Sequence, residues 1–267
     1  MLLSLLAELI IVALYALFIR DQLVGSFTQL NNAELLMDVW MIAGILGITS
    51  FTTTMGAYGV MVDDKVKKIN RDFEVAPIRN ATLLGGYLIA AVVIGLILSF
   101  LTLLAAEGYI SYQYGVRLGA GQMTEIYGVL LLVTVSNAAQ VLLLVSFLKS
   151  SNALAACCTI LGAMIGFLTG IYLPMGTIPD SVQTLVKCCP ISHGVVLLRQ
   201  ILIEPLLSGS FSAANAPQAA AFQEYMGIQY VWDGAWLSAQ SSVLILLAAA
   251  GSCLVLAIIK FSLQKRE

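Results

Sequence analysis

Charged residues are scarce in this sequence. Its 267 residues include 13 Lys and Arg and 15 Asp and Glu, so only 10% of the chain is charged, while 60% is hydrophobic. A soluble domain usually carries about 25% charged residues. The scarcity excludes an ordinary soluble fold, and the mean hydropathy of +0.94 places the chain among membrane proteins.

The residues that build metal, nucleotide and catalytic sites are also scarce. The chain has one His, and its five cysteines lack zinc or redox spacing. No lysine follows a glycine, so the G-x-x-x-x-G-K-[ST] loop that holds ATP phosphates is missing. A net charge of −2 gives no reason to expect a nucleic-acid partner. We therefore expect no enzyme, no metal and no cofactor on this chain, and transport is favoured over catalysis.

Long apolar segments are what the chain has in abundance. A helix needs roughly 20 apolar residues to cross a bilayer. Five windows without Asp, Glu, Lys or Arg are long enough, and a sixth segment at the N-terminus is interrupted only by Glu8. We predict an all-α polytopic membrane protein, a single domain over 1–267, with six transmembrane helices at approximately 2–19, 38–62, 81–105, 125–148, 153–172 and 237–260.

Two other segments need a separate interpretation. The first 19 residues lack the basic start and the cleavage site of a signal peptide, so we expect a retained helix. The window 205–223 is uncharged, but its prolines, serines and asparagine predict a loop.

The distribution of basic residues predicts the orientation. Nine Lys and Arg fall on one face of a six-span topology and four on the other, namely Arg20, Arg117, Lys187 and Arg199. Basic loops stay in the cytoplasm. We therefore expect a multi-pass protein of the cell membrane with both termini cytoplasmic.

The segment 63–79 (DDKVKKINRDFEVAPIR) holds nine charged residues between two apolar stretches. Val66, Ile69 and Phe73 recur at helical spacing and form a narrow apolar edge, and Pro77 stops the helix. Two interpretations fit this pattern equally. The edge could dock in a groove of a partner protein, or the helix could lie on membrane lipids through its lysines.

The longest outward connection runs from about 172 to 236. Pro174, Pro179, Pro190 and Pro205 divide it, and a piece of about 10 residues is too short to span a membrane. Half-helices that dip into the outer leaflet are favoured over a soluble loop, because the apolar runs 194–198 and 201–203 lie within it. His193 is expected to be a turn residue or an interfacial side chain rather than a ligand.

Polar residues within the predicted spans have two interpretations. Thr49, Thr53, Asn137 and Gln140 could bond neighbouring helices or line a substrate path. Three glycines at every fourth position are predicted to form a bare stripe on one face of the fifth span. Glu8 is a functional candidate because it is the one acid inside a span, although an interfacial position would explain it. The glycines are Gly162, Gly166 and Gly170.

Four segments resemble the permease subunits of type-2 ABC transporters, which are mostly exporters. They are ALYALFIRDQLVGSF, KKINRDFEVAPIRNATLLGGYLI, LTGIYLPMGTIPDSVQTLVKCCPISHGVVLLRQIL and the basic tail KFSLQKRE. The third, a proline-rich turn with broken helices and an Arg, is the most specific. Together they cover nearly the whole chain.

The resemblance implies partners and roles. The 65–77 region would be a coupling helix seated on a separate ATPase subunit, which would bind ATP and Mg. A second permease chain, identical or related, would pack on the second and fifth spans. The coupling residues would be Lys65, Val66, Lys68, Ile69, Arg71, Phe73 and Pro77. An outer re-entrant gate would contain Pro174, Gly176, Pro179, Pro190, His193 and Arg199.

One departure and two alternatives accompany the resemblance. Family members begin with a basic interfacial helix, whereas this sequence starts directly at MLLSLL, so that element is expected to be truncated or absent. An ion-gradient-driven transporter is disfavoured, because the halves show no repeat. A non-transporting immunity or sensor subunit is the other alternative. The substrate is open among drugs, peptides and lipid-like molecules.

Overall fold

The computed structural model describes residues 9–69, 80–211 and 216–264 of the chain. Two short strands, β1 (Val231–Trp232) and β2 (Ala235–Trp236), pair antiparallel with Val231 opposite Trp236. The helices are α1 (Leu9–Ser26), α2 (Ala33–Ala57), α3 (Gly59–Val66), α4 (Asn80–Tyr114), α5 (Ala120–Ser146), α6 (Ser151–Leu168), α7 (Asp180–Cys188), α8 (Pro190–Ser210), α9 (Ala216–Tyr225) and α10 (Ala239–Gln264). The predicted all-α membrane class is confirmed.

Seven helical segments of the described chain are long and apolar enough to cross a membrane. Six of them overlap the six predicted spans, with α2 and α3 forming one rod, Ala33–Val66, interrupted at Tyr58. The additional candidate is α8, through its segment Pro190–Leu207. Length and composition alone therefore admit one more span than the sequence predicted.

The helix α8 differs from its prediction as a short piece ended by Pro205. It continues for 21 residues with Pro205 inside it. Proline has no N–H for the carbonyl four residues earlier, which would leave that oxygen unpaired. Here the side chain of Gln122 on α5 donates to the carbonyl oxygen of Ile201, at 3.3 Å. A side chain from another helix thus replaces the missing backbone donor.

The loop predicted for the 205–223 window is wrong. The window contains helix α9, whose Phe222 is buried and packs edge-on against Phe27 at 5.1 Å between ring centroids. Helix α4 extends to Tyr114, beyond the predicted span 81–105. Its last turns are held by the hydroxyls of Tyr109 and Tyr114, which both donate to Asp38.

The rod of α2 and α3 is the centre of the bundle. In its most apolar 18-residue window 89% of the residues are buried, against 17% in α1 and α6 and 22% in α4 and α10. Apolar residues on all sides of a helix are typical of such a central position. The other helices therefore surround this rod and leave their outer faces exposed.

Candidate functional site

The segment between α6 and α9 begins each of its helical pieces with a proline. Pro174 precedes a 3₁₀ turn, Met175–Thr177, Pro179 precedes α7, and Pro190 is the first residue of α8. Proline suits these positions because its fixed φ fits a helix start and the first N–H groups need no intrahelical partner. The prolines thus mark starts of helices rather than simple breaks.

The start of α8 lies at the level of the middle of the bundle. The side chain of Val195 covers Gly47, which is near the middle of the α2–α3 rod, and Val133 of α5 covers Gly194. Further along α8, Arg199 lies over the ring of Trp40, nearer the end of the bundle where Arg20 and Asp38 lie. We call this end the Arg20 end and the opposite one the Lys65 end. Helices α7 and α8 therefore enter from the Arg20 end and turn back at Cys189.

Arg199 is fully buried without a carboxylate partner, since every salt bridge among the described residues is made by Arg20. Its guanidinium donates to the carbonyl oxygens of Gly170 (3.0 Å), Gly227 (3.2 Å) and Met226 (3.5 Å). Gly170 follows the end of α6, and the other two follow the end of α9. The C-terminal end of a helix carries partial negative charge, so these carbonyls stabilise the buried cation.

The surroundings of Arg199 connect distant parts of the chain. The indole Nε1 of Trp40 donates to the carbonyl of Met226 at 2.7 Å, and the guanidinium lies 4.4 Å from the Trp40 ring. Gly170 and Gly227 have φ values of 63°, which glycine adopts without strain. The Arg199 cluster consists of Trp40, Gly170, Arg199, Met226 and Gly227. It joins α2, α6, α8 and α9 in one hydrogen-bonded unit.

Gly176 and the strand hairpin lie beside this cluster. Gly176 is covered by the ring of Tyr225, the last residue of α9. The Lys187 ammonium, near the end of α7, donates to the carbonyl oxygen of Val231 in β1 at 2.9 Å. Burial raises the pKa of the Tyr230 phenol next to β1. The short helices and the hairpin thus form one connected layer at the Arg20 end.

His193 lies inside the bundle and is fully buried, so its prediction as a turn or interfacial residue was wrong. Its Nε2 is 2.9 Å from the carbonyl oxygen of Lys187, and its Nδ1 is 3.1 Å from the hydroxyl of Ser242 on α10. A carbonyl only accepts, so Nε2 carries the proton and Ser242 donates to Nδ1 of the neutral ring. The imidazole thereby joins α7, α8 and α10, because both of its nitrogens find partners on neighbouring helices.

At the Lys65 end, α3 is bonded to three other helices. Ser151 of α6 donates to Asp63 at 2.8 Å, and Tyr87 of α4 donates to Asp64 at 2.6 Å. Lys65 donates to the carbonyl oxygen of Val145 in α5 at 3.3 Å and lies 4.9 Å from the ring of Phe261 in α10. Lys65 therefore has its partners within the chain.

The predicted helix across 65–77 is interrupted in the structure. Helix α3 ends at Val66, and Lys68 has a φ of 61°, which breaks helical geometry. Val66 and Ile69 are both exposed, but they are not on one continuous helix. Arg71, Phe73 and Pro77 lie outside the described residues, as does Glu8.

Comparison with protein families matches residues 2–203 to the ABC-2 type transporters. The chain belongs to the ABC-2 type transporter family. It is therefore a membrane-embedded permease component, of a family whose permeases partner with ABC ATPase subunits on other chains. A comparison with curated proteins finds no match. Helix α9, the hairpin and α10 lie beyond the matched residues, although the loop after α9 supplies two carbonyls to Arg199.

Of the polar residues predicted inside this ABC-2 permease, Asn137 bonds a second helix, and Thr49, Thr53 and Gln140 bond within their own helices. Asn137 of α5 donates to the Ser50 hydroxyl at 3.1 Å, and Ser50 donates to Thr134 at 3.0 Å. Thr49 and Thr53 donate to carbonyls of α2 itself, and Gln140 donates to the Ser136 carbonyl. All these residues except Gln140 are buried in the single chain. Their placement favours helix packing over a substrate path.

The three glycines of the predicted stripe have different surroundings. Gly162 faces open space, Gly166 is covered by the ring of Tyr172, and Gly170 lies beyond the end of α6. They do not form one continuous bare face. The spacing of the glycines predicted a stripe on one helix face, but α6 ends two residues before Gly170. At that point the chain turns toward Arg199.

The ABC-2 permease contains a polar cluster that was not predicted. Asp38 is buried and accepts hydrogen bonds from Tyr15 (3.0 Å), Arg20 (3.0 Å), Tyr109 (2.8 Å) and Tyr114 (2.6 Å). These five residues and Glu34, which accepts from Arg20 at 2.7 Å, form the Arg20 cluster. The sequence could have predicted this cluster from the opposite charges of Arg20 and Asp38, which lie on either side of the first loop.

Proposed function

We propose that the chain is the permease subunit of an ATP-driven exporter, with α7 and α8 as the gate on the outer face. The observation that supports the proposal is the Arg199 cluster, which joins α2, α6, α8 and α9 at the Arg20 end. Opening this end requires the buried guanidinium to lose carbonyl partners, which costs free energy. The gate would therefore stay closed until an external source of free energy opens it.

The α2–α3 rod connects the gate with the external source of free energy. Trp40 of the Arg199 cluster lies on it at one end, and Asp63, Asp64 and Lys65 lie on it at the other. In this proposal the Lys65 end is cytoplasmic and contacts an ATPase subunit. Binding of ATP favours one state of the ATPase pair, and a displacement of α3 shifts the equilibrium at the gate.

A second permease chain completes the proposed assembly. In this proposal the second chain packs on α6, whose exposed apolar face carries Ile160, Met164 and Phe167. The α2–α3 rod contributes less than the resemblance implied, because other helices of the same chain cover it. The proposal therefore assigns the interface chiefly to α6.

A reversible disulfide between α2 and α8 tests the gate. An ideal Cβ on Gly47 lies 3.7 Å from Cβ of Val195, within the roughly 3.5–4.5 Å that a disulfide needs. In a variant with the five native cysteines replaced, Gly47→Cys/Val195→Cys is oxidised and reconstituted with its ATPase in proteoliposomes. We expect loss of ATP-dependent export of an amphipathic dye, with recovery after reduction.

Val195→Cys is the matched control, because it carries one substitution and cannot form the bond, whereas Gly47→Cys alone would press its Cβ against the retained Val195 side chain. Val195→Cys should export equally with and without oxidant. Equal export by the oxidised and reduced double variants contradicts the gate. Dye movement driven by a sodium or proton gradient, with no ATPase bound, contradicts the exporter itself.

A further inference from the structure

A cleft lies between α5, α8 and the first turn of α10, in the half of the bundle nearer the Arg20 end. Its volume is about 640 Å³, which is within the usual range of ligand pockets. Gln122 and Glu125 line it from α5, Gln200 and Glu204 line it from α8, and Ala239 lines it from α10. The cleft therefore has two carboxylates in its own wall.

These two carboxylates have no counter-charge in the wall. Every salt bridge among the described residues is made by Arg20, and no Lys, Arg or His is among the described residues that line the cleft. Glu125 and Glu204 are both exposed, so a molecule in the cleft can reach them. Acids on membrane-length helices are costly and mark functional sites. A bound cation is what balances this pair.

The geometry of the two helices brings the acidic side chains towards each other. Side chains lean towards the N-terminus of their helix. Helix α5 begins at the Arg20 end, shortly after Tyr114 of the Arg20 cluster, whereas α8 runs towards that end. Glu125 therefore leans outwards and Glu204 leans inwards. The bond from Gln122 to the Ile201 carbonyl lies within one turn of both acids and joins the two helices there.

The deeper part of the cleft is apolar and is open on one side. Val129 and Leu132 line it one and two turns further into the bundle than the acid of α5. Gly128 also lines it, is exposed, and has no atom within 4 Å of an added Cβ. The neighbouring Leu131 and Leu244 are exposed on membrane-length helices and face lipid. An apolar group can thus enter the cleft beside Gly128.

We propose that this cleft binds an amphipathic cation, with its positive group between Glu125 and Glu204 and its apolar body against Val129 and Leu132. Opposite charges attract most strongly where apolar walls exclude water. A phospholipid is a poor occupant, because its phosphate meets two carboxylates and no base. The site lies within one permease chain, and binding there requires neither ATP nor export.

Two ions of the same shape and opposite charge test the proposal. Radiolabelled tetraphenylphosphonium and tetraphenylborate are each equilibrated with the full chain and its ATPase subunits in choline-headed phospholipid nanodiscs, without ATP. Uptake by empty nanodiscs is subtracted. We expect saturable binding of one tetraphenylphosphonium per chain and at least about tenfold weaker binding of tetraphenylborate, because two carboxylates attract the first ion and repel the second.

Substitutions in the wall separate the space from the charge. Gly128→Trp fills the cleft and should abolish saturable binding. Gly121→Trp is the matched control, because Gly121 is also an exposed glycine of α5 with open space around it, and it does not line the cleft. Glu125→Gln and Glu204→Gln should each weaken binding by about three- to fivefold. Glu224→Gln, at an exposed acid of α9 outside the lining, should leave the affinity unchanged.

The outcomes against the proposal are distinct. Absence of saturable binding to the unaltered protein, or binding that survives Gly128→Trp, overturns the site. Equal affinity for the two ions, or an unchanged affinity in Glu125→Gln/Glu204→Gln, overturns the assignment to a cation. Displacement of tetraphenylphosphonium by amine-headed phospholipid mixed into the nanodiscs assigns the cleft to a lipid and overturns the proposed ligand.

Discussion

Arg199 and Arg20 lie at the same end of the bundle and are stabilised in different ways. Arg199 is fully buried, and carbonyl oxygens at the ends of two helices surround it. Arg20 has a side chain that is 22% exposed, and it pairs with Asp38 and Glu34. The comparison shows that a permease can bury a cation without a buried anion. The helix ends then take the place of the counter-ion. The buried cation is therefore stabilised only while those helix ends keep their positions.

The largest expected effect comes from Arg199→Ala. The substitution removes the guanidinium donor from the Gly170 and Gly227 carbonyls and opens a cavity beside Trp40, so we expect the free energy of unfolding to fall by about 3–5 kcal/mol. ATP-dependent transport should be lost as well. Thermal unfolding of the purified chain in lipid nanodiscs measures the first effect.

Arg117→Ala is the control for Arg199, because Arg117 is exposed at the same end. Arg117→Ala should change the midpoint of thermal unfolding little. Arg199→Lys keeps the charge but cannot reach carbonyls on both sides, so its midpoint should lie between those of Arg199→Ala and Arg117→Ala. If Arg199→Ala and Arg117→Ala unfold at the same midpoint, the helix ends do not depend on the guanidinium.

Asp38→Asn tests the ion pair that stabilises Arg20. Asp38 accepts from Arg20 and three tyrosines. The amide keeps the shape but loses the charge and turns one acceptor into a donor, so we expect a loss of about 2–3 kcal/mol. Thermal unfolding of the single variants and of Asp38→Asn/Arg20→Ala gives the coupling between the two residues.

The double variant should lose less free energy of unfolding than the two single variants together, because each single substitution removes the same ion pair. Asp21→Asn is the control, because Asp21 is almost fully exposed and should be nearly neutral. Strict additivity of Asp38→Asn and Arg20→Ala contradicts a shared cluster.

Trp40→Phe sharpens the description of Arg199. Phenylalanine keeps an aromatic ring below the guanidinium but loses the Nε1 bond to Met226. We expect a loss of about 1–2 kcal/mol, measured by thermal unfolding, because the Met226 carbonyl then depends on Arg199 alone. Trp232→Phe on β1 is the control, since Trp232 is exposed. A Trp40→Phe protein as stable as this control excludes a role for the indole N–H.

Ser242→Ala should have the smallest effect. It removes the hydroxyl that donates to Nδ1 of His193, while the bond from Nε2 to the Lys187 carbonyl remains. A loss of about 0.5–1.5 kcal/mol in unfolding is expected for one neutral hydrogen bond. Ser252→Ala removes an exposed hydroxyl of the same helix and should leave the free energy of unfolding unchanged. Equal midpoints for the two variants indicate that His193 needs no partner on α10.

Local patterns in the sequence predicted part of this arrangement. The apolar windows located the cores of α2, α4, α5, α6 and α10, and the prolines indicated that the 172–236 connection is divided into short pieces. The helix through Pro205 was missed, because its donor, Gln122, comes from another helix. His193 was misjudged for the same reason, since its partners lie 6 and 49 residues away. The assigned roles of the coupling and gate residues stay predictions.

The sequence by itself determined the membrane class and the positions of the most apolar helices. In a bilayer each backbone group must be bonded within its own segment, so an apolar run of sufficient length is enough to specify a helix. Only the tertiary structure decided what each polar group meets. Arg199 finds its acceptors 27 to 29 residues away, and the burial of Asp38 depends on tyrosines up to 76 residues distant. Such contacts depend on how the helices pack, which no local pattern records.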